Sequence, residues 1–132
     1  MNSDAQSVPA SKTLLWVGRV LSALPVLLLL TTGMFGLLKP AAAAQGAAHY
    51  GFPDGALLRI TIVEIACAIL YAIPRTAVLG SILLTGYFGG AVATHVRVGE
   101  PFFLALMVGI MVWAGLYLRD ARVRELIPLR RE

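Results

Sequence analysis

The sequence predicts an all-α membrane protein: a four-transmembrane-helix bundle with a short surface helix between helices 1 and 2. Three observations predict it. Hydrophobic residues make up 58% of the 132 positions and charged ones 14%, against roughly 25% charged in an ordinary soluble domain. Four windows approach the length of about 20 apolar residues that a helix needs to cross roughly 30 Å of hydrocarbon at about 1.5 Å per residue. The 11 basic and 7 acidic side chains gather at the ends of those windows, with few inside them.

The chain opens on a polar leader, MNSDAQSVPASK, with residues 1–13 expected to be disordered. The first window is Val20 to Leu38, with Leu14 as its earliest start, and Pro25 within it is a kink that neighbouring helices can accommodate. The run PAAAAQ that follows resembles a signal-peptidase site. The apolar stretch before it is about 19 residues, longer than the 7 to 15 of a signal core. Lys39-Pro40 also intervenes, so the helix is expected to stay.

Between Lys39 and Gly55 a short helix is expected, because Pro40 suits a first helical position and Gly51 a stop. It should lie at the bilayer surface or over the mouth of the bundle. The second window, Ala56 to Ile73, is closed by Pro74. The third runs from Thr76 to Val96, and the fourth follows Gly99-Glu100-Pro101 from Phe102 to Leu118. The transmembrane domain is thus placed at residues 14–118 and a basic cytoplasmic tail at 119–132.

Short positively charged loops are retained in the cytoplasm. With both termini inside, Lys12, Arg19, Arg75, Arg119, Arg122, Arg124, Arg130 and Arg131 fall on the cytoplasmic side, and Lys39, Arg59 and Arg97 on the outer one. That bias predicts a multi-pass membrane protein with both termini on the cytoplasmic side. It also accounts for the basic pI without nucleic acid, for which there is no recognition element. The tail is read as a topology anchor, with attraction to anionic lipid head groups as its alternative use. The single cysteine, Cys67, excludes an internal disulfide and a CxxC redox pair within one chain, and is read as packing. No metal site is expected.

Helices in lipid associate through small residues that let backbones approach. Gly86, Gly90 and Thr94 on the third helix, and Ala105 and Gly109 on the fourth, are expected to be contact faces inside the monomer. Homo-oligomerisation is the alternative use of the same faces.

Polar groups at membrane depth single out the candidate site. Glu64 stands about eight residues into the second helix, or roughly 12 Å deep. An ionised carboxylate there is costly unless it is paired or hydrated. Arg59 falls about 140° away around the same helix at about 100° per residue, so the partner should come from another helix. The third helix runs the opposite way and brings His95 and Arg97 to the same leaflet, while Thr31 and Thr32 occupy the outer half of the first. The expectation is that Glu64, His95, Arg97 and Arg59 converge in an outer polar pocket, with His49 or Tyr50 capping it. The competing reading makes Arg97 an interfacial anchor, His95 a helix-end donor and Glu64 a structural tie.

The runs EIACAILYAIPRTAVLGSILLTGYFGGAVATHVRVGEP, TTGMFGLLKP and GFPDG closely resemble the DoxX-like family of small bacterial membrane proteins, a resemblance covering roughly Leu14 to Leu118. It implies a four-helix membrane bundle and, through the better-known DoxX and DoxD proteins, association with quinone-linked sulfur or thiol oxidation. The DoxX-like branch itself largely lacks an assigned activity. The sequence departs from what an enzyme needs: it has no cysteine pair, no haem-ligand histidine pair within the windows and no dinucleotide fingerprint. Three function classes follow. In a quinone-linked subunit beside a membrane or redox partner, His95 and Glu64 would hydrogen-bond a quinone carbonyl or move its protons, with Tyr87 or Phe88 against the ring. The second class is a non-catalytic scaffold. The third, a small proton-coupled exporter, ranks last: the small multidrug transporters carry their glutamate in the first helix, and the outer arginines would repel cationic drugs.

Overall fold

Every element of the computed structural model, which describes residues 11–127, is helical, with no strand among the described residues. Ser11 caps α1 (Lys12–Leu38), its hydroxyl accepting the Leu14 N–H at 3.3 Å. The helix therefore starts earlier than the apolar window does. The polar leader assigned to 1–13 lies mostly outside the described residues, and its last two residues already belong to α1. At 27 residues α1 is about 40 Å long, and it continues through a buried Pro25.

Pro40 opens α2 (Pro40–His49) and Gly51, with φ at 77°, follows its end, as its sequence signals demand. Gly55, at φ 78°, leads into α3 (Ala56–Ala72), which stops before Pro74. Then come α4 (Ala77–Arg97), α5 (Phe103–Arg119) and α6 (Ala121–Leu126). The last falls within the stretch read as a basic cytoplasmic tail, and Asp120 caps it by accepting the Arg122 N–H at 2.9 Å. Residues 128–132 of that tail lie outside the described residues.

The four long helices close a ring in the order α1, α3, α4, α5, each antiparallel to its neighbours in the ring. One end of the bundle carries α2; the other carries α6 and the start of α1. Close backbone approach holds the ring, at glycines other than those the spacing suggested. A Cβ on Gly115 would stand 2.8 Å from the Ser22 backbone nitrogen, and one on Gly18 would stand 3.0 Å from the Arg119 nitrogen, so α1 and α5 touch through this pair. Gly33 and Gly36 admit Ile65 and Thr61 of α3, and Gly80 lies against the α3 backbone at Leu70 and Tyr71. The expected face on α4 is corrected: Gly86 and Gly90 have nothing within 4 Å of where a Cβ would be. Instead α4 turns Ala77, Gly80, Ser81, Leu84 and Phe88 inward. On α5 Gly109 does meet Phe88, at 3.6 Å, and Ala105 packs on the core.

Tyr71 is the centre of the core, fully buried, its hydroxyl donating to the Val112 carbonyl at 2.8 Å and lying 3.0 Å from Ser22 Oγ. Carbonyls left open where helices stop are met by side chains at the end away from α2. Thr76 donates to Leu70 O at 2.7 Å, Arg119 to Tyr71 O at 3.2 Å, and Arg124 to Leu118 O at 2.8 Å. Some of the basic residues counted for topology thus also finish helices.

The perimeter is apolar. Trp16, Leu27, Leu38, Ile82, Leu104 and Ile110 are among many large hydrophobic side chains left exposed, a surface suited to lipid and not to water. By length and composition α1 and α4 can cross a membrane, and α5 is a shorter apolar helix. α3 has the 17 residues of α5 but carries Arg59 and Glu64.

Candidate functional site

Two of the cavities among the described residues bear on function. The larger, about 820 Å³, is a groove between α4 and α5 that holds no acidic or basic side chain. Its polar feature is the Trp113 indole donating to Thr85 Oγ1 at 2.8 Å. The smaller, about 380 Å³, lies at the α2 end and holds the chemistry. Glu64, Tyr87 and His95 share its wall with Thr32, Thr61, Phe88 and otherwise apolar side chains of α1, α3 and α5, and Ala43 of α2 contributes to the lining.

Glu64 is 7% exposed. It faces the bundle because Thr61, Glu64, Cys67, Ala68 and Tyr71 form the inward stripe of α3 at helical spacing. Its carboxylate is met by the Thr32 hydroxyl of α1, and Tyr87 of α4 stands beside it. Thr32 Oγ1 is also 3.0 Å from Leu28 O and 3.1 Å from Leu29 O. One hydroxyl proton cannot serve all three acceptors. Thr32 either donates to an ionised Glu64, or turns its proton to its own helix and accepts from a protonated one. The arrangement accepts Glu64 in both states.

His95, half-buried on α4, places Nδ1 2.7 Å from Ala91 O. A carbonyl only accepts, so Nδ1 carries the proton and a neutral ring presents Nε2 as an acceptor. The neighbour of Nε2 is the Tyr50 hydroxyl at 3.5 Å, a long contact, because Tyr50 donates to Glu100 at 2.8 Å instead. His95 Nε2 is thereby left without a close hydrogen-bond partner, on a residue that lines the cavity.

The remaining sequence candidates lie elsewhere, and the expected four-way convergence is corrected. Arg97 is exposed and donates to the Tyr50 carbonyl, drawn there because that carbonyl ends α2. Arg59 is exposed on the outer side of α3, as its 140° offset from Glu64 requires once Glu64 faces inward. Thr31 is exposed and turns its hydroxyl back to Leu27 O at 2.6 Å; Thr32, one residue on and also exposed, is the one that reaches Glu64 and lines the cavity. His49 is exposed and pairs with Glu100 at 2.6 Å, so it joins a surface cluster at the cavity's edge. Glu100 is the residue that sequence reasoning missed. It sits in the α4–α5 turn, where the Gly99 φ of 74° bends the chain, and nothing in its local pattern signals a long-range partner. Hydrogen bonds from His49 and Tyr50 hold its carboxyl below the ordinary range, and the same carboxylate pushes the Tyr50 phenol up.

Among the described residues no group of His, Cys, Asp and Glu is placed to hold a metal ion. Cys67, buried on α3, has no second thiol to pair with. What the cavity offers is one acid in an apolar wall, one phenol and one imidazole acceptor.

No curated protein and no solved structure matches the chain. The model of the DoxX-like family matches residues 20–116, which takes in α2, α3 and α4 whole and most of α1 and α5. The chain is a membrane protein of the DoxX-like family, a family to which no activity is assigned.

Proposed function

We propose that α1, α3, α4 and α5 all span a bacterial inner membrane with both termini in the cytoplasm, and that the Glu64 cavity holds the head of a quinone as part of a quinone-linked redox assembly. The charge bias supports the orientation, and reporter fusions that place either terminus in the periplasm would remove it. The observation that carries the ligand is the pairing of a buried carboxyl with an available imidazole nitrogen across a mostly apolar cavity of about 380 Å³, a size within the roughly 300–1,000 Å³ of small-molecule sites. A quinone head is flat and apolar apart from two carbonyl oxygens. Tyr87 can donate to such an oxygen and Phe88 offers a ring face. Once the head is reduced, His95 Nε2 accepts from its hydroxyl. Reduction takes two electrons and two protons. The chain has one cysteine and no redox pair, so the electrons come from a partner protein, and Glu64 and His95 hold and move the protons.

The test is binding of a short-chain quinone to the protein in lipid nanodiscs. At about 100 times Kd a ligand specific for the folded state raises stability by about 2.7 kcal/mol, several degrees in melting temperature for a chain of this size. The parent and Arg59→Gln should show that rise, and Glu64→Gln and His95→Phe should lose most of it. Equal rises in all four would make Glu64 a structural tie.

A second reading has its own observation. Gly86 and Gly90 present an exposed small-residue face that nothing in the monomer covers, and such faces suit a partner helix, from another protein or a second copy.

A further inference from the structure

The cavity is roofed by the one helix with no buried residue. Only Ala43 and Ala47 of α2 are even partly covered, four residues apart on one face. Two alanine methyls give little packing, so α2 is not held down by a core of its own. It forms because alanine is the best helix former. What ties it to the bundle is a polar cluster at its far end. Glu100, in the α4–α5 turn, receives His49 Nε2 at 2.6 Å on one carboxylate oxygen and the Tyr50 hydroxyl at 2.8 Å on the other. Arg97 donates to the Tyr50 carbonyl. The ends of α2 are candidate hinges: Lys39 alone separates it from α1, and Gly51 and Gly55, with left-handed φ values, follow it.

We propose that α2 is a hinged lid over the Glu64 cavity, latched closed by the Glu100 carboxylate, and that its release gives water and protons a path into the cavity from the aqueous side. The use of that path rests on the cavity being a ligand site. The latch does not, and can be measured without any ligand. Tyr50 couples the two, because its hydroxyl is committed to Glu100 and so leaves Nε2 of His95, a residue that lines the cavity, without a close partner. The groups facing Glu100 are His49 and Tyr50 from the α2 side and His95 from α4, with Arg97 engaged one residue away on the backbone. A carboxylate held below its ordinary range stabilises the closed state above that range and loses the effect as pH falls through the lowered value. The lid should therefore open on acidification below about pH 4, where an ordinary carboxyl titrates, and stay latched at neutral pH.

The test places a reporter thiol in the cavity wall. In a Cys67→Ser background, Thr61→Cys puts a sulfur on α3 under the lid, where Thr61 is 3% exposed. In nanodiscs lipid blocks lateral access, and a charged methanethiosulfonate reads the path from water. Glu100→Ala should raise the labelling rate about tenfold at pH 7, with Tyr50→Phe between the two. Acidification should raise the rate of the parent relative to Glu100→Ala. Hydrogen exchange gives a second measure: Glu100→Ala should speed exchange in α2 and leave α3 and α4 unchanged. Labelling rates within twofold of each other, or exchange that speeds equally in α3 and α4, would overturn the latch.

Discussion

Thr31 and Thr32 are adjacent and chemically identical, and the fold gives them opposite duties. A step of about 100° around the helix puts Thr32 against Glu64 and leaves Thr31 facing outward, its hydroxyl returned to Leu27 O. Removing the Thr32 hydroxyl strips Glu64 of its donor from α1. Thr32→Val should lower stability by about 1 kcal/mol, a typical net worth for an intramolecular hydrogen bond, and Thr31→Val should stay within about 0.5 kcal/mol. Chemical unfolding of the two variants in mixed micelles checks this, and equal losses would contradict the assignment of Thr32 as the partner of Glu64. The contrast also shows what the sequence makes legible. Glu64 announces itself by its depth in an apolar run, and its inward direction follows from the cost of facing lipid. Which threonine meets it depends on the rotation of α1, which Gly18 and Gly33 set by where they let α5 and α3 approach.

The long helices could be placed from where the apolar run stops, because Pro40, Pro74 and Pro101 punctuate the chain and the residue before a proline is disfavoured in helical conformation. The start of α1 was not visible that way, since a helix can extend beyond the hydrocarbon on polar residues once Ser11 caps it. The face that each helix buries was also hidden. Small residues at four-residue spacing occur on two faces of α4, and the spacing alone does not say which one has a neighbour. Gly115→Ala should force α1 and α5 apart, because its methyl meets the Ser22 backbone, which cannot rotate away as a side chain can. Overpacking of that kind costs about 1–3 kcal/mol. Gly86→Ala adds a methyl to open space and should be neutral or slightly stabilising, since alanine favours the helix. Melting temperatures measured side by side decide it, and a larger loss at Gly86 would mean that its face is packed in the membrane.

For the molecule as a whole, the antiparallel ring sends polar residues far apart in sequence to one end. Glu64 and His95 meet there across a cavity, while Arg97, His49 and Tyr50 meet around Glu100 at its edge. The sequence placed these residues at one end but merged two assemblies into one. Separating them needed the partner of Tyr50, and the α4–α5 turn that supplies it looks like an ordinary loop. The groove between α4 and α5 is larger and more apolar than the Glu64 cavity, so a hydrophobic ligand has two places to go. The two share Phe88 and Ala105. Photolabelling with a short-chain azidoquinone in nanodiscs, followed by peptide mapping, distinguishes them. The account predicts label on the cavity residues Leu57, Ile60 and Leu104, competed by unlabelled quinone and lost in Glu64→Gln. Label confined to Ile110, Trp113 and Leu118 in the groove, unaffected by Glu64→Gln, would contradict it.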